Sequence, residues 1–537
     1  MLKRSLLGSA VLLASSYATA TPFMPMDARG LAMGNTGVAS AKLAHAPAYN
    51  PSLLSQAESS DDFALLFPQI GVNLADEAGL EDEASRLDDD IIPRIDAAFE
   101  ERGAGDPVNF NKAVENMTAA AEQLGVQIDS MDDVDGRTNA EKAADLRTDN
   151  QAFGDSIAAT NTELQEVESA TDDMIDSLRT ISGDPLRGRL GIGGAVAIPG
   201  KKLAAAVSFK ADVNASARIL FSGNDANLLG AYVPAASGYL DASNGITDSV
   251  DSLADEVESG TATTADLNNT KSAVDEVNTY TSDPVQTAGG NISIFDNGEI
   301  SNAASDPSFD SQYEIVAIGI AEVGLSLSRE FVIADKPVAI GITPKLQQVA
   351  TYHYVGQVDE EDNAPDVELE DSERTSNHIN LDIGTSFYVD PQERLRVGIV
   401  IQDLISKDFE YAEVAVDGDA DGEVAAGGKV SLKPKLRAGV AYTRDWYNLA
   451  ADLDLTENEA LAFEDPTQYL SVGGEVDLAG WAQLRAGLRT NLAGESNVVS
   501  LGAGVSPFGI HFDLAAMMDV SDPEKELGLA LETGFYF

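Results

Sequence analysis

The 537-residue sequence contains no cysteine, so disulfide bonds, thiolate metal sites and thiol redox chemistry are excluded. Basic residues are also few: 34 Lys and Arg stand against 89 Asp and Glu, which gives a formal net charge of −55. Because such a chain repels phosphate groups, we expect no nucleic acid ligand. No apolar run reaches the ~20 residues that a membrane-spanning helix requires. Stability must therefore come from apolar burial and backbone pairing.

The first twenty residues have the pattern of a secretory signal peptide. Lys3 and Arg4 precede an apolar run from Leu6 to Leu13, and small residues follow at the cleavage spacing in Ala18-Thr19-Ala20. The alternative, an N-terminal membrane anchor, is disfavoured because the apolar run is too short to span a bilayer. An exported chain of this kind is periplasmic, secreted or a β-barrel.

Alternating apolar and polar residues recur from residue 187 to the end, which is typical of strands with one apolar face. In the last eleven residues Leu527, Leu529, Leu531, Phe535 and Phe537 share one face. The pattern predicts fourteen strands, centred near residues 66, 193, 208, 319, 344, 382, 399, 439, 451, 473, 487, 501, 514 and 532. Alternation alone also fits a water-soluble β-sandwich.

The connections between these strands favour a barrel. Long connections follow the first, third, fifth and seventh strands, whereas short turns follow the even-numbered strands. The expected fold class is therefore all-β: a transmembrane outer-membrane barrel of about 14 antiparallel strands, with both termini periplasmic. The last strand, ending in Phe537, resembles the signal by which the barrel assembly machinery recognises such proteins. Lipid and lipopolysaccharide would surround the barrel.

Two long connections are acidic and helical in pattern. Residues 75–186 hold 29 Asp and Glu against 8 Lys and Arg, and residues 221–310 hold 15 against 1. Apolar residues recur at three- and four-residue spacing in both, as in Met174, Leu178 and Ile181 of the first and Ile246, Val250 and Leu253 of the second. We expect two extracellular helical inserts, either solvated coiled-coil protrusions or adhesin-like surfaces. The remaining expected units are a plug at 21–62, a first strand at 63–74, and barrel strands at 187–220 and 311–537.

The segment between the signal peptide and the first strand is rich in small residues. It reads Asp27-Ala-Arg-Gly-Leu-Ala-Met-Gly-Asn-Thr-Gly-Val-Ala39 and later Tyr49-Asn-Pro-Ser-Leu-Leu54. Glycines permit close packing, and Asn-Pro marks a turn. The sequence therefore predicts a compact plug inside a pore, with these candidate ligand-gating residues: Arg29, Gly30, Gly34, Gly37, Asn50 and Pro51.

This segment resembles the N-terminal hatch of the FadL-like outer-membrane superfamily, whose members share an Asn-Pro-Ala motif; Ser52 replaces the alanine here. Together with Gln483-Leu-Arg-Ala-Gly-Leu-Arg489 and Leu501-Gly-Ala-Gly-Val-Ser-Pro507, it is similar to the outer-membrane family of conjugal transfer protein TraF. The resemblance covers residues 21–74 and 187–537. It implies a plugged fourteen-stranded barrel and passive uptake of a hydrophobic small molecule such as a long-chain fatty acid.

One acidic loop begins like a calcium-binding loop. The carboxylates in question are Asp417, Asp419, Asp421 and Glu423, and glycine occupies the sixth position, but the twelfth is Gly428 where such loops have glutamate. A calcium site and a flexible acidic loop are both compatible with this pattern. We expect no other cofactor. Nucleophile elbows, phosphate loops and His-Glu-x-x-His pairs are absent, so we expect no enzyme activity.

Three functions remain open. The first is plug-gated passive uptake of hydrophobic small molecules. The second is an envelope component in conjugal transfer or cell contact that acts through the inserts. The third is a structural barrel without transport.

Overall fold

Fourteen antiparallel strands close into a barrel in which the first strand pairs with the last. The computed structural model describes residues 23–536 except 58–61, 77, 101, 104–105, 133–135, 288–289, 298, 306–308, 334, 359–368, 417–422, 459–461, 464–465, 479 and 495. The strands are β1 (Ala64–Ala75), β2 (Pro185–Ile198), β3 (Ala204–Leu220), β4 (Gln312–Ile333), β5 (Lys336–Gln357), β6 (Arg374–Tyr388), β7 (Leu395–Gln402), β8 (Lys435–Arg444), β9 (Tyr447–Asp454), β10 (Tyr469–Leu478), β11 (Ala482–Asn491), β12 (Asn497–Val505), β13 (Ile510–Asp519) and β14 (Glu526–Tyr536). All fourteen predicted centres fall within these strands, which confirms the expected fold class.

The two faces of the barrel wall differ in chemistry. In β11, Leu484 and Leu488 are 53% and 58% exposed, whereas Arg485 and Arg489 are 5% and 2% exposed. Neighbouring strands repeat this alternation, because successive side chains of a strand point to opposite faces. The outer face therefore suits contact with lipid. Lipid offers no hydrogen-bond partners to backbone N–H and C=O groups, and closure of the barrel pairs these groups between strands.

The connections separate cleanly between the two ends of the barrel. At one end, the turn end, strands are joined by short turns, and Trp446 and Trp481 in these turns are exposed. At the other, the insert end, lie the long connections after β1, β3, β5, β7 and β9. This is the alternation that the sequence predicted. Exposed tryptophans near the turns are typical of a membrane interface.

The connection from β7 to β8 is more ordered than a simple loop. Its strands Lys407–Glu410 and Lys429–Leu432 pair with each other, and Phe409 and Val430 pack on Ile318 and Val349 of the long strands β4 and β5. This hairpin covers the inner face of the wall near the insert end. Sequence alternation did not reveal it because each strand has only four residues.

The α-helices lie in residues 23–57 and in the two inserts. They are α1 (Ala28–Ala32), α2 (Ala46–Tyr49), α3 (Leu80–Arg86), α4 (Ile92–Phe99), α5 (Phe110–Asp129), α6 (Asn139–Ile181), α7 (Gly223–Leu229), α8 (Tyr232–Ser259), α9 (Thr264–Asn278) and α10 (Asn302–Ser305). The Thr138 hydroxyl accepts from the Glu141 amide and so caps α6, while Gly260 ends α8 at a φ of +70°. Among the described residues, none of these helices combines the length and apolarity needed to cross a membrane.

The two inserts fold together as one helical bundle. Phe153 and Ile157 of α6 share a buried core with Val250 and Leu253 of α8. The Asn150 side chain donates to Thr247 O at 2.9 Å and to the Asp251 carboxylate at 2.8 Å. The sequence predicts two helical inserts but does not indicate that they share one core. A narrow apolar stripe on a long helix identifies a buried face but not its partner.

The second insert is also less helical than its pattern predicts. After α9, the strands Pro284–Thr287 and Gly290–Ser293 form a hairpin, and Phe295–Asp296 pairs with Glu299–Ile300. Phe295 stacks on Tyr239 of α8 with ring centroids 5.2 Å apart. This small β-structure therefore completes one wall of the bundle.

Candidate functional site

Residues 23–57, here called the N-terminal segment, lie inside the barrel and are almost entirely buried. The segment touches well-separated strands of the wall. A Cβ added at Gly34, whose φ is +67°, would lie 2.7 Å from Leu488 O, and one added at Gly398 of β7 would lie 2.5 Å from Val38 O. Glycines of both the segment and the wall thus permit backbone-to-backbone contact.

Gly30 and Gly37 serve packing within the segment itself. Cβ atoms at these positions would lie 1.7 Å and 2.1 Å from atoms of the Tyr49 side chain, which is buried against them. The Gly37 and Val38 amides donate to Asp452 Oδ2 of β9 at 2.7 and 3.0 Å. Tyr49 is a structural residue that sequence inspection missed; an aromatic among small residues was the available signal.

Asn50 and Pro51 lie where the segment approaches β5 and β6. The Asn50 side-chain nitrogen Nδ2 donates to Val38 O at 2.9 Å and to Thr385 O at 3.2 Å. Its side-chain oxygen Oδ1 accepts from Ser52 Oγ at 2.6 Å. Ser52 Oγ also lies 2.7 Å from Ser386 Oγ of β6. The serine that replaces alanine in the motif thus adds a polar link between segment and wall.

Arg29 joins a buried chain of charges across β10, β11 and β13. Arg29 Nε lies 3.1 Å from Glu475 Oε2, which also accepts from Arg485 Nε at 2.6 Å. Arg485 in turn pairs with Asp513. Opposite charges are thus matched within a space from which water is largely excluded, which buried ions require.

A second polar cluster joins the segment to β14. His45 Nε2 lies 3.1 Å from Glu532 Oε1 and 3.7 Å from Asp27 Oδ1, and all three side chains are buried. Burial raises the pKa of Asp27, although His45 opposes this shift. Burial disfavours the charged imidazole, but the Glu532 and Asp27 carboxylates outweigh it and raise the pKa of His45. Asp27 and His45 were not among the predicted site residues; Asp27 opens the motif at 27–39, but neither residue belongs to a ligand-binding pattern that can be read from the sequence.

Little space remains beside the N-terminal segment. Two small cavities, each of about 50 Å³, lie between the segment and β2 to β5, and the second also reaches Asp382 and Lys435. Each has room for one or two water molecules. Charged side chains, including Lys210, Asp212 and Lys345, border them. Neither cavity would admit a larger solute.

A much larger cavity lies in the helical bundle. It has a volume of about 810 Å³ and is enclosed mainly by apolar side chains of α5, α6, α8 and the small hairpin. Its aromatic walls are Phe110, Phe153, Tyr239 and Phe295. A few charged residues lie at its border, where Lys271 Nζ is 2.6 Å from Asp129 Oδ1. A volume of this size suits a small organic ligand.

The proposed calcium site cannot be compared with the geometry. Residues 417–422, and with them Asp417, Asp419 and Asp421, lie outside the described part of the chain. Glu423 is described, and it accepts a hydrogen bond from Gln312 Nε2 at 2.9 Å. Phe537 also lies outside the described residues, so its role in barrel assembly stays a prediction.

A closed antiparallel barrel with an apolar outer face and a charged, filled interior defines an outer-membrane β-barrel protein. Within that class, the chain belongs to the family described as F plasmid transfer operon, TraF, protein, whose profile matches residues 47–454. The matched range includes both inserts, which the resemblance seen in the sequence did not. It leaves out the motifs at 27–39, 483–489 and 501–507 on which that resemblance depended.

Several solved structures are similar to this chain over most of its length. They include the Ralstonia pickettii toluene transporter TbuX (10% identity, TM-score 0.42) and the monoaromatic hydrocarbon channel CymD (10%, 0.41), each covering 96% of this chain and 99% of the other. The Pseudomonas putida toluene transporter TodX gives 10% and 0.39 at the same coverage. No curated protein matches the sequence.

Proposed function

We propose that this protein mediates passive uptake of hydrophobic small molecules across the outer membrane, gated by the N-terminal segment. In this proposal the insert end faces outward and the turn end, with both termini, faces the periplasm. An even number of strands and short turns at the end that carries the termini support this orientation.

The proposal rests on the difference in volume and lining between the cavity at the insert end and those beside the segment. A chamber of about 810 Å³ with aromatic walls lies at the insert end, whereas the cavities beside the segment measure about 50 Å³. Apolar solutes favour the first site because binding there removes apolar surface from water. They cannot pass the second without displacement of the segment. The segment is therefore the gate, and Arg29, Asn50 and Pro51 are among the residues that hold it closed.

The ligand that this geometry favours is apolar and uncharged over most of its surface. Glu122 and Asp129 border the bundle cavity, so a carboxylate would meet negative charge there. A long-chain fatty acid fits if its acyl chain enters the cavity and its carboxylate remains near Lys271. A neutral aromatic hydrocarbon needs no such placement, so both classes belong in the first uptake assay.

Because the chain has no native cysteine, an engineered disulfide can test the gate directly. Ser52→Cys with Ser386→Cys would tie the segment to β6, since the two hydroxyl oxygens lie 2.7 Å apart. Labelled naphthalene and a labelled long-chain fatty acid would be given to cells that lack their own transporters. We expect uptake with the reduced pair, loss on oxidation and recovery with reductant.

The matched control ties two wall strands instead. Ser326 Oγ of β4 and Thr343 Oγ1 of β5 lie 2.8 Å apart, so Ser326→Cys with Thr343→Cys should cross-link without holding the segment. Uptake should then be equally fast before and after oxidation. The proposal fails if oxidised Ser52→Cys/Ser386→Cys transports as fast as its reduced form, or if the folded wild-type barrel gives no uptake at all. The latter result would favour a structural barrel.

The family relationship favours a second candidate function, a role in conjugal transfer or cell contact. The inserts support it because they form one body with a shared core and an acidic surface, projecting from one end of the barrel. Excision of residues 75–186 and 221–310 should then lower mating or adhesion while the barrel still folds. Unchanged mating and adhesion after excision would contradict this role.

A further inference from the structure

Three potential metal ligands meet where the N-terminal segment touches the last strand. Asp27 and His45 belong to the segment, Glu532 belongs to β14, and each is at most 3% exposed. Their nearest ligand atoms all lie within 4.8 Å of one another. One imidazole nitrogen and two carboxylate oxygens form a ligand set that zinc uses in proteins.

The separations between these atoms suit a common metal ion. Zinc bonds of ~2.0–2.2 Å place neighbouring ligand atoms about 3.3–3.6 Å apart in a tetrahedron. His45 Nε2 lies 3.1 Å from Glu532 Oε1 and 3.7 Å from Asp27 Oδ1, so both distances lie close to that spacing. Three protein ligands leave a fourth position for water.

Each of the three side chains also has a hydrogen-bond partner at the atom that would not bind the metal. Tyr49 Oη donates to Asp27 Oδ2 at 2.6 Å, and the Ala28 amide donates to Glu532 Oε2 at 3.1 Å. The Tyr536 hydroxyl lies 3.2 Å from His45 Nδ1, the ring nitrogen that would not bind the metal. Such outer contacts fix the orientation of ligands in protein metal sites.

The charge of the cluster points the same way. Two carboxylates are buried beside a single imidazole; when both are ionised the cluster carries net negative charge, which is costly to bury unless it is neutralised. A divalent cation would neutralise the pair. The imidazole nitrogen selects a first-row transition metal or zinc over magnesium and calcium, which prefer oxygen ligands.

We propose that Asp27, His45 and Glu532 bind a divalent transition metal ion, with zinc as the probe, and that this ion fastens the N-terminal segment to β14. The ion would join two points of the segment, eighteen residues apart in sequence, to the strand that closes the barrel. The proposal concerns occupancy of this cluster and does not depend on the uptake function.

The test uses the full-length barrel, purified in detergent, stripped with chelator and reloaded with Zn²⁺ or Co²⁺. We expect one tightly held ion per chain after gel filtration, measured by elemental analysis. Bound Co²⁺ should show the intense visible absorption of a four- or five-coordinate site. The 89 acidic residues will also bind ions weakly, so both stoichiometry and spectrum are required.

Variants separate this site from the acidic surface. His45→Gln and Glu532→Gln should lose the ion and the cobalt spectrum. The control His378→Gln, at a histidine of β6 whose Nε2 lies 2.9 Å from the Ile405 carbonyl oxygen, should keep both. Tyr536→Phe keeps all three ligands and should weaken binding about 10- to 100-fold.

Two results would overturn the proposal. The first is a folded wild-type chain that retains no more metal than His45→Gln. The second is equal retention by the wild-type chain and every variant. If His45→Gln does not fold, the wild-type cobalt spectrum and the affinity of Tyr536→Phe still decide the question.

Discussion

The barrel interior buries charged side chains, whereas the core of the helical bundle buries mainly apolar ones. Inside the barrel, charged pairs such as Arg437 with Asp454 and Arg489 with Glu526, each 2.5 Å apart, are buried. In the bundle the shared core of α6 and α8 is apolar apart from uncharged polar residues such as Asn150, and charged side chains such as Arg147 lie on the surface. A barrel wall must turn its apolar side chains toward lipid, so its polar residues face inward; a bundle in water does the reverse. Sensitivity to charge substitutions should therefore be inverted between the two regions.

The largest expected effect is loss of a charge inside the barrel. Glu475→Gln leaves Arg29 and Arg485 without their shared carboxylate, and breaking such a buried pair should cost about 3–5 kcal/mol of the free energy of unfolding. Urea unfolding of the purified barrel, followed by the shift in gel mobility between its folded and unfolded forms, measures this change. Asp445→Asn, at an exposed turn position, is the control. Equal unfolding midpoints for the two variants would contradict the contrast.

The next effect is loss of apolar volume in the bundle. Leu253 of α8 is 1% exposed, and Leu253→Ala should destabilise the bundle by about 3 kcal/mol through lost burial and a new cavity. Hydrogen exchange should become faster in α6 and α8 while the barrel strands stay protected. Val126→Ala, at a position 71% exposed, should change neither region. Faster exchange in the barrel strands would show that the two regions unfold together.

What the sequence could predict follows from the same contrast. Alternation over eight or more residues, as in β11 and β14, has a period of two that no helix shares, so all fourteen strands could be located. The connection lengths then predicted closure and which end carries the inserts. These features depend on local pattern and order along the chain.

Contacts between distant residues could not be predicted in this way. Asn150 and Thr247 are 97 positions apart, so neither stripe indicated that the inserts share a core. His45 meets Glu532 across 487 positions, although the alternation of β14 had placed Glu532 toward the interior. The gating residues at 29 to 51 were identified from small-residue content, and their role in transport stays a prediction.

A smaller effect should follow from cutting the polar link between the inserts. Asn150→Ala removes hydrogen bonds to Thr247 O and to Asp251, and we expect a loss of about 1–2 kcal/mol. Hydrogen exchange should accelerate in α6 and α8 together, because both helices lose the contact. Asn161→Ala, on the exposed face of α6, is the matched control. Acceleration in α6 alone would argue that the inserts are less strongly coupled than their shared core indicates.

The smallest effect should come from a charge pair on the bundle surface. Arg147 of α6 lies 2.7 Å from both Asp255 and Glu258 of α8, so by distance alone it equals the pairs inside the barrel. Water and salt screen these exposed groups, and fixing long side chains costs entropy, so Arg147→Ala should leave hydrogen exchange of the bundle unchanged at physiological salt. A marked acceleration would mean that distance, and not burial, governs the strength of ion pairs in this protein. The expected difference in charge sensitivity between barrel and bundle would then not hold for ion pairs of similar length.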